Sequence, residues 1–264
     1  MKKLSLMLVA LALGLTACPA TQTPTAITSV SGTVVEVDPN TPPIDPTTTT
    51  DVSLKTVAWT GGAGTVTGSM EAGTTLKEVT SGTLNANGSF SLNLPSTVDA
   101  SMLVKINNTP ATNCTGQFTL SNPDALIGEL IVVASGSKTS QITPETGALQ
   151  IDRTNKLLTI TTNFGTLMYA DRDIQVSGTS TCTPQAGNTV ITKNDVKLVK
   201  GWNLLSLNQS YVFNGNEGTT TLTSTLTSGS LPTDKWVFNA DSMATTNLGK
   251  SNISNNVKPL HFLR

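Results

Sequence analysis

The run Thr83-Leu84-Asn85-Ala86-Asn87-Gly88-Ser89-Phe90-Ser91-Leu92-Asn93-Leu94-Pro95 holds a turn and an amphipathic strand in thirteen residues. Phe90, Leu92 and Leu94 alternate with Ser91 and Asn93, which puts apolar side chains on one face of a strand and polar ones on the other. The Asn87-Gly88 pair ahead of them suits a tight turn, because Gly takes positive φ without steric cost and Asn tolerates it. The segment predicts a β-hairpin with one dry face and one wet face. Asn85-x-Asn87-Gly88 also has the outline of a calcium loop, but it lacks the leading Asp and the distal bidentate Glu that a hard cation requires.

The same punctuation extends in both directions. Strand-like runs occur at 54–60, 65–70, 102–106, 126–134, 156–162, 166–170, 174–177, 219–227 and 235–238, separated by Gly, Asn and Pro. Over 195–207 a second hairpin is expected, with Lys200-Gly201 as its two-residue turn. Thr is about one residue in six, and strand and turn formers dominate over helix formers, so the chain reads as all-β. The expected architecture is sandwich-like, with antiparallel sheets, over residues 53–264. The polar stretch 135–146, with Gly136 and Pro144, is where two sub-domains would divide; one sandwich to which both halves contribute strands is the preferred alternative.

Two motifs resemble known β-sandwiches. Asn87-Gly88-Ser89-Phe90-Ser91 is similar to a strand of transthyretin-like and carboxypeptidase-regulatory-like domains. Gly201-Trp202-Asn203-Leu204-Leu205-Ser206 resembles a strand opening of bacterial surface-protein domains, where the indole belongs to the core. Both resemblances imply a fold, and neither implies an activity.

Residues 18–52 contain six of the thirteen prolines and the run Thr47-Thr48-Thr49-Thr50, the composition of a semi-extended tether. Within it, 27–37 is valine-rich and free of Pro, so a strand docked on the domain is an equal alternative there. Ahead of the tether, Lys2 and Lys3 precede an uncharged apolar run and Leu15-Thr16-Ala17-Cys18. That order is the form of a secretory signal over residues 1–17, too short to span a bilayer comfortably. The final Cys resembles the lipobox of bacterial lipoproteins. The resemblance implies lipid on the Cys18 sulfur, cleavage before it, and anchorage to a membrane of the cell envelope. Pro19, rather than Asp, after the Cys favours the outer membrane or cell surface.

Past the signal the chain keeps 14 of its 16 cations and all 17 carboxylates, a net charge of −3 with no basic block, which excludes a nucleic-acid footprint. With Cys18 assigned to lipid, Cys114 and Cys182 have only each other. In an exported chain they are expected to form a disulfide. A metal site is the poorer reading, since no Cys or His stands at ligand spacing beside them, and no cofactor is expected.

Catalytic patterns are sparse. His261 is the only imidazole and lies at the chain end, with no Gly-x-Ser-x-Gly elbow. Asp171-Arg172-Asp173 is the densest acidic cluster, the place where a carboxylate-dependent hydrolase of envelope glycan would keep its catalytic pair. Trp59, Trp202, Trp236, Tyr169 and Tyr211 would be the platforms of a sugar-binding surface, although core packing is the default for each Trp. The expectation is a lipid-anchored structural or binding module with no catalytic centre, its partner an envelope glycan or protein. The hydrolase is the alternative.

Overall fold

The computed structural model describes residues 25–40, 51–108 and 113–238. The first half contributes β1 (Ser29–Val37), β2 (Asp51–Ser53), β3 (Thr56–Ala58), β4 (Gly64–Ala72), β5 (Thr75–Leu84), β6 (Ser89–Asn93), β7 (Val104–Lys105) and β8 (Cys114–Leu120). The second contributes β9 (Leu126–Ser135), β10 (Thr139–Asp152), β11 (Leu157–Ala170), β12 (Ile174–Cys182), β13 (Asn188–Leu198), β14 (Gly201–Asn214), β15 (Thr219–Ser228) and β16 (Lys235–Phe238). Apart from a single 3-10 turn at Ala100–Met102, the regular structure of the described residues is all strand, and the fold is all-β. Cys18, His261 and about half of the tether, residues 18–24 and 41–50, lie outside the described residues.

The hairpin read from 83–95 is present. β5 and β6 meet at Leu84 and Phe90, Gly88 takes φ 87°, and the Ser89 amide donates to Asn87 Oδ1. Phe90, Leu92 and Leu94 are buried while Ser91 and Asn93 are exposed, as the alternation requires.

Two curved sheets share strands. In the first, β9, β10, β16, β1, β6, β5 and β4 pair in turn and β4 returns to β9, a closed ring. Trp59, Met70, Phe90, Trp202, Trp236 and Phe238 are among the side chains that fill it. The second is an open curl in the order β10, β11, β14, β15, β13, β12, β8, with β9 alongside β10 on the β11 edge. Its closed end is plugged by Ile127, Met168, Ile174, Val176, Val196, Leu198, Leu205 and neighbours.

The sheets join at Gly165. β10 follows β11 up to the pair Glu145 and Phe164, and β9 takes over the same edge from the pair Leu130 and Leu167. β9 and β10 pair with each other only near their turn, at 133–135 and 139–141, before diverging in opposite directions along β11. A Cβ on residue 165 would come within 3.0 Å of Leu231, Pro232 and Pro144, so this crossing has room only for Gly. The 135–146 stretch is thus a hairpin turn and the start of a strand belonging to both sheets, which accords with the preferred reading of one unit built by both halves.

One open alternative is decided and one reading changes. Residues 29–37 are β1, paired with β6 and β3 on one side and β16 on the other, so this part of the 18–52 segment is inside the fold. Lys200-Gly201 does not close a hairpin. β13 and β14 are separated by β15, which runs parallel to β13 and antiparallel to β14. The Lys200 amide donates to Asp173 Oδ1 and the Val199 amide to Asn203 Oδ1, fixing a corner instead of a tight turn.

One ionic knot ties the ring together. The buried Glu36 carboxylate of β1 accepts from the Thr60 amide at 2.7 Å, the Thr60 hydroxyl at 2.9 Å and Lys138 Nζ at 2.6 Å. Lys138 sits on the β9–β10 turn, with its Nζ 5.4 Å from the ring centroids of Trp59 and Phe238. Burial opposes the charge on Glu36, but Lys138 and Thr60 together outweigh it and hold the carboxyl below its ordinary value. Lys138→Met is expected to cost about 2 kcal/mol in a urea titration, less than breaking a fully buried pair, because Lys138 is half-exposed and Thr60 remains. A loss under about 0.5 kcal/mol would reduce the knot to a surface ion pair.

Candidate functional site

The residues singled out for chemistry divide by location. Trp59, Trp202, Trp236 and Tyr169 are all buried, packed into the ring core, so none is a sugar platform; Tyr211 is half-buried. Asp171 accepts from the Leu126 amide at 2.8 Å and from Arg172, while Asp173 accepts from the Lys200 amide at 2.7 Å. For Asp171, burial raises the pKa, and Arg172 with the Leu126 amide more than reverses this, leaving it below the usual carboxylate value. Each carboxylate is thus committed to backbone at a different corner of the fold. Among the described residues, no three His, Cys, Asp or Glu side chains assemble as a metal-ligand set. Cys114 and Cys182 stand opposite each other on β8 and β12 with S–S 1.98 Å. Their Cα atoms are 4.0 Å apart, just under the customary lower bound of about 4.4 Å.

Around this pair, at the open end of the curl, lies a cleft of about 690 Å³. The β12–β13 loop (Thr183 to Asn188), Asn113, Glu217 and the β15 residues Thr219 and Thr221 line it. Backbone hydrogen bonds set its shape: Thr183 N to Asn113 O at 3.0 Å, Asn188 N to Gln185 O at 3.0 Å, and Thr220 N to Gly187 O at 2.8 Å. Hydroxyls and carboxamides dominate the lining, with Glu217 the one acidic side chain among the described residues there, accepting from the Thr219 hydroxyl at 3.2 Å. Such groups both donate and accept, which suits the hydroxyls of an uncharged polar ligand.

The cross-strand register reveals a second feature, inside the curl. At one level Gly147, Thr162, Gln209, Ser224, Thr192, Ser180 and Gly116 stand side by side across seven strands, and none is apolar. One level nearer the plug, Glu145, Phe164, Leu207, Leu226, Asn194, Gly178 and Phe118 form the adjacent row. One level nearer the open end, Leu149, Ile160, Tyr211, Leu222 and Val190 lead to the disulfide. A polar girdle is therefore held between apolar layers. Glu145 is 3% exposed and Asn194 4%, yet Glu145 Oε1 and both side-chain polar atoms of Asn194 have no hydrogen-bond partner. Burial pushes the Glu145 carboxyl up to about 7.

The sequence did not expose this girdle, because along each strand its members look like the Thr, Ser and Asn of a wet face. Only register places them at one level. The chain matches no family model, no curated protein and no solved structure.

Proposed function

We propose that the chain is a lipid-anchored binding module of the cell envelope, holding an envelope glycan in the cleft at the open end of the curl. The observation that carries this reading is polarity along β14. The described chain begins at residue 25 and Ile27 immediately bridges Trp202, at the start of β14, while the cleft adjoins Thr219, which pairs with Asn214 at its end. The extended β14 separates those points by about 40 Å, so the cleft lies at the far end of the strand from the first described residues, which supports a module facing away from an anchor at Cys18. Chemistry supports the ligand class, since hydroxyls and amides fit sugar hydroxyls and, among the described residues, no aromatic side chain lines the cleft, which favours weak, hydrogen-bonded recognition. The use of Asp171 and Asp173 as backbone acceptors supports a module over a hydrolase.

A glycan array probed with the full chain tests the reading. Binding to envelope polysaccharide that falls at least tenfold in the double variant Gln185→Ala/Asn188→Ala is the expected result, with palmitate-analogue labelling of the wild type abolished by Cys18→Ala. Undiminished binding by the double variant would remove the cleft, and an unlabelled wild type would remove the anchor.

A further inference from the structure

We infer that the interior of the open curl is a second binding site, for an uncharged single-chain amphiphile whose hydroxyl or amide head passes the girdle to pair with Asn194, one level nearer the plug. Its chain lies on the apolar layer that opens beside Tyr211. Three observations converge on it. First, a buried carboxamide with neither donor nor acceptor engaged is costly, and native proteins rarely keep one without a water or ligand to complete it. One level nearer the open end, Thr192 on the same strand and Gln209 and Ser224 on the neighbouring ones supply further donors and acceptors, with Gln209 Nε2 and Ser224 Oγ 3.4 Å apart.

Second, the inner face of β14 opens progressively toward the solvent. Leu207 is 1% exposed, Gln209 5%, Tyr211 half-buried and Phe213 38% exposed, all on one side of the strand. Ile160, Tyr211, Leu222 and Val190 belong to neither hydrophobic core. They form the middle level of a face that runs about 13 Å from Gln209 at the girdle to Phe213 at the rim, the reach of a medium-length alkyl chain. A water would complete Asn194, but it would leave this layer wet. An amphiphile satisfies both.

Third, the charge is right for a neutral head. The girdle and the rows on either side of it carry no cation, and their one carboxylate is Glu145; on the same face Glu129, bonded by the Thr166 hydroxyl at 2.7 Å, is the nearest other acid. An anionic head would meet carboxylates and find no partner.

The test uses the full chain with Cys18→Ser, which keeps the protein's own lipid out of the measurement, and a monoacylglycerol with a diazirine in its acyl chain. Photolabelling is expected on peptides containing Tyr211, Phe213 and Leu222, displaced by unlabelled monoacylglycerol at far lower concentration than by a fatty-acid anion or an alkylamine. Asn194→Leu is expected to reduce labelling at least tenfold while the unfolding midpoint holds or rises, since two unpaired buried atoms are removed. Thr223→Val, on the opposite face of β15, is expected to label like the parent. Labelling indifferent to Asn194→Leu, or spread over the outer face, overturns the inference. So does uptake of the probe only after residues 239–264 are deleted, which would make the chain's own C-terminal segment the occupant.

Discussion

Cys114→Ser/Cys182→Ser is expected to lower the unfolding free energy by about 4 kcal/mol, the value set by closing a loop between residues 68 apart in the denatured chain. The location of the bond raises the stakes. Among the described residues β8 ends the order of strands with β12 as its one neighbour, and its backbone pairs with β12 from Cys114 to Leu120. Its side chains are mostly exposed, so little apolar burial replaces the covalent tie if the sulfurs are removed. The bond also borders the cleft, and glycan binding is expected to fall along with stability. Guanidinium titrations of the oxidised and reduced chain measure the first effect. Coincident midpoints would mean that the link constrains nothing the strand pairing has not already fixed.

Stability should also fall as pH rises from 5 to 8, by about 3 kcal/mol in total, and Glu145→Gln should abolish most of that slope. The sign follows from burial. The Glu145 carboxyl is pushed up to about 7 in the folded chain and returns to an ordinary carboxylate value on unfolding, so between those values the folded state binds the extra proton. Below about pH 4.5 both states are protonated and nothing is lost. Across the window each pH unit removes about 1.4 kcal/mol, and above about pH 7 the loss is complete. Glu129 and Thr166 are the polar groups on the same face nearest along the β11 edge, and neither is a cation that would reverse the shift. Urea midpoints at pH 5, 6.5 and 8 decide it. A parent and a Glu145→Gln variant with parallel pH profiles would show that the carboxyl is charged throughout.

What could be read directly from residues was whatever lay within one hairpin or followed by elimination. Phe90, Leu92 and Leu94 declare their face because the polar residues between them are unambiguous, and Cys114 pairs with Cys182 because no other sulfur remains past Cys18. β10 was missed because its composition obeys the junction instead of a wet–dry alternation. Pro144 and Gly147 sit in it, and Glu145 is buried. The corner at Lys200-Gly201 looked like a hairpin because two apolar runs flank it, and only the insertion of β15 between them, in parallel with β13, shows otherwise. The girdle was invisible for a related reason. In strands where Thr fills both faces, an inward Thr192 and an outward Thr225 carry the same local signal.

The parallel pairing of β1 with β16 also has a meaning for how the chain is made. Thr33 meets Lys235 across some 200 residues, and the ring has no closure until that last strand arrives. Until then, the emerging polypeptide has hairpins but no completed core around Trp202 and Trp236, and such long-range contacts form slowly. Were the chain exported, as Leu15-Thr16-Ala17-Cys18 implies, that delay would keep it threadable through a translocation pore until β16 is made. Topology would then hold the protein open, and the ring would lock only once β16 had crossed.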